Sequence, residues 1–428
     1  MKLTQYKLGQ LLNITRGASL SGEYYATEGE HIRLTLGHFD YVNGGFKENT
    51  SKDNLYFTGD VKEEFILKKG DIITPLTEQT FGLIGSTAII PESGKYIQSQ
   101  DIGLVKCNEE LLYSGFCYYL LPTQLVKAQL SAGAQQTSIR HTSPDKIKYC
   151  TVFIPSLSEQ KRISNLLSYV DKKISINRQL NRDLEALAKQ IYDYWFVQFD
   201  FPNENGKPYK SSGGKMVWND ALRRNIPEGW DVHCLAELGS FKNGINYSKD
   251  EIGDRRYKIV NVRNISSSSI FIDNSDLDEL TLKRSNGDNY LINDSNILIA
   301  RSGTPGATRL MRDIEGNIIY CGFIICYALN NLEDKSFLFY SIKQLEAVTK
   351  AQSNGSILSN ISQDVLKQLY VPIPPIETKK KFNEKICVIF SAIQNNLRET
   401  ENLIKQRNEL LPLLMNGQVT VNPDLSND

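Results

Sequence analysis

The chain has 428 residues, with Lys plus Arg at 49, Asp plus Glu at 49, and a formal net charge of zero. That balance argues against a histone-like or ribosomal-type protein, whose nucleic-acid affinity comes from excess positive charge, but it leaves local basic surfaces open. Hydrophobic content of 40% and charged content of 23% describe an ordinary globular chain of two or three domains, not a disordered one.

The longest apolar run, about Cys321 to Leu329, falls far short of the ~20 residues of a membrane-spanning helix. Met1-Lys2-Leu3-Thr4-Gln5-Tyr6 lacks a signal-peptide hydrophobic region, so a cytoplasmic protein without a membrane is expected. Seven cysteines with no C-x-x-C pair fit reduced thiols there. The four histidines, His31, His38, His141 and His233, have no zinc-site spacing, and no metal is expected.

Residues 1–155 read as a first mixed α/β head. It opens on Leu8-Gly9-Gln10-Leu11 and a glycine turn at Arg16-Gly17. Short apolar runs broken by Gly, Asn and Asp follow, such as Asp71-Ile72-Ile73-Thr74, and these read as strands between loops. Ile154-Pro155 ends a short strand, and residues 156–197 then read as one long helix. Apolar positions recur at Ile163, Leu166, Val170, Ile174, Leu180, Leu184, Leu187 and Ile191. Spacings of three and four sustained this long give a narrow stripe of the coiled-coil type. Residues 198–230 carry Phe201-Pro202, Gly206-Lys207-Pro208 and Gly213-Gly214, and read as an irregular connector. Its Tyr209, Met216 and Trp218 suggest packing on a surface.

Residues 231–374 form a second head, and its ends repeat those of the first. At an offset of 227, Leu8, Leu11, Gly17 and Ser21 fall on Leu235, Leu238, Gly244 and Ser248. At an offset of 219, Ser143 to Asn177 meets Ser362 to Asn396 with nine of 35 positions identical, among them Asp145/Asp364 and Ile154-Pro155/Ile373-Pro374. Two colinear matches with different offsets indicate a duplication with fixed ends and divergent middles. Residues 375–428 hold the second long helix and a tail, with apolar positions at Phe382, Ile386, Ile389, Ile393, Leu397, Leu403, Leu410 and Leu414. Pro412 is expected to kink or loosen its end.

A helix of ~38 residues is about 55–60 Å long at 1.5 Å per residue, and one narrow stripe needs a partner. The economical partner is the duplicate, giving a two-helix coil between two heads. Ile163, Val170, Ile174, Leu184, Leu187 and Ile191 are expected to meet Ile386, Ile389, Ile393 and Leu403 there. Asn177 and Asn396 sit at matching places in or beside the stripe, either as a register-fixing polar pair or as solvated flanks.

Catalytic motifs are missing: there is no P-loop, no G-x-S-x-G and no G-x-G-x-x-G. Pro144-Asp145 followed by Glu159-Gln160-Lys161 has a nuclease-like spacing. Such a site needs its carboxylates and Lys to converge on a metal. Here Glu159 falls at a helix start, where the dipole favours an acid, and the second copy has Thr378, Lys379 and Lys380 instead.

Three stretches resemble the specificity subunit of type I restriction–modification systems. They are Tyr194-Trp195-Phe196 with Phe201-Pro202 and Gly206-Lys207-Pro208-Tyr209, then Gly213-Gly214-Lys215-Met216 to Ile226-Pro227-Glu228-Gly229-Trp230, and the paired Ile-Pro-to-helix segments. The resemblance implies an α+β fold of two target-recognition domains separated by two long antiparallel coiled-coil helices, with circular pseudo-symmetry. It implies a non-catalytic chain whose heads each read half of a split, asymmetric site in double-stranded DNA. Its partners would be two methyltransferase subunits and a restriction/translocase subunit. S-adenosylmethionine, ATP and Mg2+ would belong to those partners, with no cofactor on this chain.

On that reading, DNA contacts are expected in paired loops after the Asp71–Thr74 and Asn296–Ala300 strands. These offer Thr77, Gln79 and Thr80 in one head and Arg301, Ser302 and Thr304 in the other. Further candidates are Arg16 and Lys242 by the glycine turns, then Arg33, Arg263 and Arg309, and Arg140 before the constant segment. For each, a turn residue or a solvated surface cation is the competing explanation. Lys379-Lys380-Lys381 opens helix two, where ordinary solvation is expected over a DNA or partner contact. Two other functions stay open on the sequence: a self-contained metal-dependent endonuclease, and a coiled-coil adaptor without a nucleic-acid role.

Overall fold

The stretches repeated in the sequence form the closing edge of each head. The computed structural model describes residues 1–40, 44–78, 82–132, 140–248, 253–352 and 360–422. Thr4–Lys7 pairs antiparallel with Thr151–Ile154, placing Thr4 opposite Ile154. Asp231–Cys234 pairs with Tyr370–Ile373 in the same sense, placing Asp231 opposite Ile373. The second register is the first moved by 227 residues on one strand and 219 on the other. Those are the two sequence offsets.

The chain divides into two units, Met1–Ser175 with Glu401–Asp428, and Ile176–Thr400. Each holds one head and part of each of two long helices, α1 (Leu157–Tyr192, 36 residues) and α2 (Ile376–Met415, 40 residues).

In the first unit, β1 (Leu12–Arg16), β2 (Ile72–Pro75) and β3 (Ile102–Cys107) form one sheet in the order β1-β3-β2, continued by Ala88–Ile89. Successive side chains point to opposite faces, and both faces are covered. Ile72 and Val105 face a core with Leu8, Leu11, Val152, Ile163 and Leu167, which Leu414 and Met415 of α2 complete. Ile73, Ile102 and Leu104 face another with Leu34, Phe39, Leu67 and Tyr96.

The second unit repeats this with β4 (Gly239–Asn243), β5 (Asn296–Ala300) and β6 (Ile324–Leu329), in the order β4-β6-β5. Ile297, Ile299, Ile325 and Tyr327 face one core. Leu298, Ala300, Ile324 and Cys326 face the other. Burial on both faces explains why these strands read as unbroken apolar runs in the sequence.

The end of α1 opens into a π turn at Asp193–Val197, and Phe199 adopts a left-handed φ of 65° that stops the helix. Phe196 then packs against Phe382 and Phe337 at ring-centroid distances of 4.7 and 4.9 Å. The connector is more ordered than its composition suggests. Met216–Asn219 and Arg224–Pro227 form a β-hairpin, whose loop turns at Arg223 with a positive φ rather than at a glycine. Tyr209 stacks on Phe201 at 4.7 Å and Met216 packs on the same core, but Trp218 is exposed and its indole N–H donates to Asp220.

The two helices run antiparallel within each unit. In the second, Asn177 donates to Glu399 at 2.7 Å and Asn396 donates to Asn181 at 2.9 Å. In the first, Arg407 donates to Asp171 at 2.7 Å, and Tyr119 donates to the other oxygen of that carboxylate, also at 2.7 Å. Ile163, Ile174, Ile386, Ile389 and Ile393 are buried, and Val170, Leu184, Ile191 and Leu403 are half-buried on the same lines. Leu187 is not. It is 45% exposed, because Ala188 takes the inward position seven residues after the buried Asn181. Helix α2 continues past Pro412 to Met415. The proline forgoes its own bond to the Asn408 carbonyl, and the helix end is held instead by Leu414 and Met415, which are buried in the core. Lys379 is neither solvated nor free: its ammonium pairs with Asp334 at 2.6 Å, both side chains buried.

Candidate nucleic-acid interface

The same constellation stands at one end of the central sheet in each head. Strand β1 leaves the sheet at Gly17, where a Cβ would lie 2.3 Å from the Gln98 carbonyl oxygen and 2.4 Å from that of Ser99. Strand β4 leaves at Gly244, where a Cβ would lie 2.2 Å from the Cys321 oxygen and 2.3 Å from that of Tyr320. Only glycine lets the two chains cross so closely. Each crossing borders a tight turn into the central strand. Ile102 N–H donates to Ser99 at 3.0 Å in one head, and Ile324 N–H donates to Cys321 at 2.9 Å in the other.

A backbone ladder joins that turn to the loop after β2 or β5. Leu76 N–H donates to the Asp101 carbonyl and Thr142 N–H donates to the Leu76 carbonyl, both at 2.8 Å. In the second head Arg301 donates to Phe323 and Ile361 to Arg301, both at 2.9 Å. The scaffold is common and the side chains differ. Leu76 is buried and Asp101 half-buried, whereas Arg301 is half-buried and Phe323 is 60% exposed.

The sequence candidates separate by what holds them. Arg16 is exposed at this end of the first sheet, opposite Gly103, and Arg301 lies at the corresponding end of the second. Among the described residues, neither guanidinium has a carboxylate or carbonyl partner. Ser302 and Thr304 are half-buried beside Arg301, and the Thr304 hydroxyl lies 3.0 Å from that of Ser266.

The other cations are engaged. Arg263 bonds Asp276 at 3.1 Å and Asp278 at 2.8 Å, and these carboxylates hold its guanidinium above the ordinary range. Lys242 is exposed, but its ammonium donates to the Asn289 carbonyl at 2.7 Å and sits 4.5 Å from the Tyr290 ring centroid. Arg33 is buried, stacked 3.7 Å from the Tyr25 ring centroid and bonded to the Asn54 carbonyl at 3.1 Å.

Like Arg33, two further candidates are too buried for a duplex to reach. Arg309, 7% exposed, bonds the carbonyls of Ser268 and Thr308 at 2.7 Å and pairs with Glu346. Thr77 is buried where its short strand pairs with Arg140–His141, Thr77 opposite His141 and Glu78 opposite Arg140. Gln79 and Thr80 lie outside the described residues, as does the Arg140 side chain. Glu78 itself is structural. One carboxylate oxygen accepts the N–H groups of Gly82, Leu83 and Ile84 at 3.0, 2.9 and 3.0 Å.

Phe323 is not among the residues expected at this end of the sheet, because Cys321 to Leu329 reads as a buried strand. The available signal was that Gly322-Phe323 aligns with Gln100-Asp101, a turn, once the two heads are superposed on their glycines. The nuclease-like residues do not converge. Asp145 pairs with Lys148 and Glu159 with Arg162, each within its own helix. Gln160 is buried, accepting from Tyr113 N–H and donating to the Leu111 and Pro155 carbonyls.

The chain matches the family model described as the type I restriction modification DNA specificity domain twice, over residues 2–186 and 227–410. It is 27% identical over 320 residues to the type I restriction enzyme MjaIX specificity subunit of Methanocaldococcus jannaschii, covering 72% of this chain and 69% of that protein. Against the type I restriction enzyme HindI specificity subunit of Haemophilus influenzae it is 22% identical, covering 82% and 87%. In fold it is similar to the crystal structure of the type I restriction-modification S subunit from M. genitalium, with a TM-score of 0.56, 17% identity, and 97% and 96% of the two chains covered.

Proposed function

The chain belongs to the type I restriction modification DNA specificity family, and from that premise we propose that it reads a split DNA site, one half by each head, without catalysing a reaction itself. The observation that carries this is the paired constellation. Two heads share a glycine crossing, a turn and a ladder, yet present Leu76 and Asp101 in one and Arg301 and Phe323 in the other. A common frame that holds a buried leucine and a half-buried aspartate in one head, and a half-buried arginine and an exposed phenylalanine in the other, suits two unrelated half-sites.

The long helices set the spacer between the half-sites and dock methyltransferase subunits, two of them, with a restriction/translocase subunit joining the complex. Helix lengths of 36 and 40 residues give about 55–60 Å, between one and a half and two DNA turns of ~34 Å. Apolar side chains left exposed on the helices, Ile176, Leu180, Leu187 and Val388, support the docking role, since a docked subunit would cover them. S-adenosylmethionine, ATP and Mg2+ are the partners' cofactors.

Selection of bound fragments from random duplex DNA, by the chain together with its methyltransferase, tests the reading. A split motif is expected. Replacing residues 1–150 with another head should change one half-site only, and inserting one turn in both helices should alter the spacer alone. Recovery of a continuous motif, or of none, would overturn the proposal.

A further inference from the structure

Resting on that reading, the geometry points to Arg301 and Phe323 as the base-reading pair of the second head, taking a guanine and a neighbouring thymine on one face of the duplex. The fold does not ask for an aromatic ring at position 323. The corresponding turn in the first head carries Asp101, and it makes the same turn bond and the same ladder bonds. The ring is 60% exposed, although it stands within a run whose other large apolar residues are buried.

Its neighbour on the ladder is the feature that gives the ring a meaning. Arg301 N–H bonds the Phe323 carbonyl directly at 2.9 Å, so the two residues leave adjacent chains side by side. Among the described residues of this head, Arg263 and Arg309 are held by carboxylates, whereas the Arg301 guanidinium has no such partner. A free planar fork beside an exposed apolar ring matches two major-groove features. The fork is complementary to guanine O6 and N7, and the ring to the C5-methyl of thymine. The loop Ser302-Gly303-Thr304 can approach the backbone beside them. Gly303 has a φ of 78°, and the Thr304 hydroxyl is braced by Ser266.

The experiment is methylome sequencing of a methylation-free host expressing the full chain with its methyltransferase. Arg301→Gln, Phe323→Ala and Phe323→Leu are compared with the wild type, and the half-site of each head is assigned by the head swap. Arg301→Gln should relax discrimination at one guanine by roughly 5- to 150-fold, and Phe323→Ala at one adjacent thymine by roughly fourfold, the worth of one buried methyl. Phe323→Leu, which keeps apolar contact, should retain most of it, and the other half-site should stay unchanged. A wild type without a split motif would sink the broader reading and not this assignment in particular. A normal wild-type motif that neither variant relaxes, or that has no guanine–thymine step in the second half-site, would overturn the assignment. So would loss of methyltransferase co-purification in Phe323→Ala, which would make the ring a partner contact.

Discussion

Asn396 donates its side-chain amide to the side-chain oxygen Oδ1 of Asn181 at 2.9 Å, across the antiparallel pair of helices. Asn177, the residue matching Asn396 in the duplication, bonds Glu399 instead. Position 181 is nearly buried and its own amide reaches the Ile393 carbonyl at 3.5 Å. Replacing Asn396 with Leu leaves the Asn181 oxygen without its donor and should destabilise this unit by about 1–3 kcal/mol. Replacing both with Leu removes the stranded group, so the double variant should come within ~1 kcal/mol of the wild type. Urea unfolding of the four chains forms the cycle. Additive costs would mean that the two amides are not coupled.

The coil and the closing strands were legible because their signals are local and repeated. Ile-Pro followed by a 3-and-4 spacing marks α1 and α2, and the offsets of 227 and 219 return as strand registers. Phase was less legible. Leu187 and Ala188 are both compatible with a helical stripe, and only packing assigns the inward position to the alanine. For the candidate interface, the sequence points to the loops after β2 and β5 but does not separate the side chains that are held from those that are not. Arg301 and Arg309 both follow from one strand-loop-strand segment, and what separates them is Glu346, brought in by a helix 37 residues onward. No local pattern carries that information.

Gly17 and Gly244 make the same demand in both heads. An added Cβ at either would sit 2.2–2.4 Å from backbone oxygens, which cannot swing aside as a side chain can. Gly17→Ala and Gly244→Ala should each cost about 2–3 kcal/mol, in the range of overpacked interiors. Gly22→Ala is the control, since its Cβ would meet only ordinary contacts, the nearest at 3.8 Å, and should change stability by less than ~0.5 kcal/mol. In methylome sequencing Gly17→Ala should disturb one half-site and Gly244→Ala the other. Equal effects of both on one half would contradict two separate readers.

His38 makes the first head sensitive to acid. It is buried between Phe46 and Tyr96, and burial lowers its pKa from 6.5 to about 4. The unfolded chain therefore takes up a proton below about pH 6.5 that the folded head refuses. The contribution is complete above that pH and is lost progressively toward pH 4, by roughly 3 kcal/mol. Thr35 N–H donates to the His38 ring at 3.1 Å in a capping box, an arrangement that glutamine also supports. His38→Gln should therefore fold, with a flatter urea midpoint between pH 7 and 4.5 than the wild type. Parallel curves would show that His38 is not buried in its neutral form.

The balance of 49 and 49 charges limits what the isolated chain can do on DNA. Of the guanidinium groups first considered for contact, Arg33 is stacked on Tyr25, and Arg263 and Arg309 are paired with carboxylates. Among the described residues, Arg16 and Arg301 remain available. Each neutralised phosphate contributes about 0.9 to the slope of log affinity against log salt, so a few contacts give a slope of roughly −2 to −4. Fluorescence anisotropy with a duplex carrying the site should show binding no tighter than micromolar at physiological salt for the chain alone. Adding the methyltransferase should tighten binding and steepen the slope, because its cations complete the grip on the phosphates. Nanomolar binding by the purified chain at that salt would mean that cations now held in ion pairs exchange their carboxylates for phosphate.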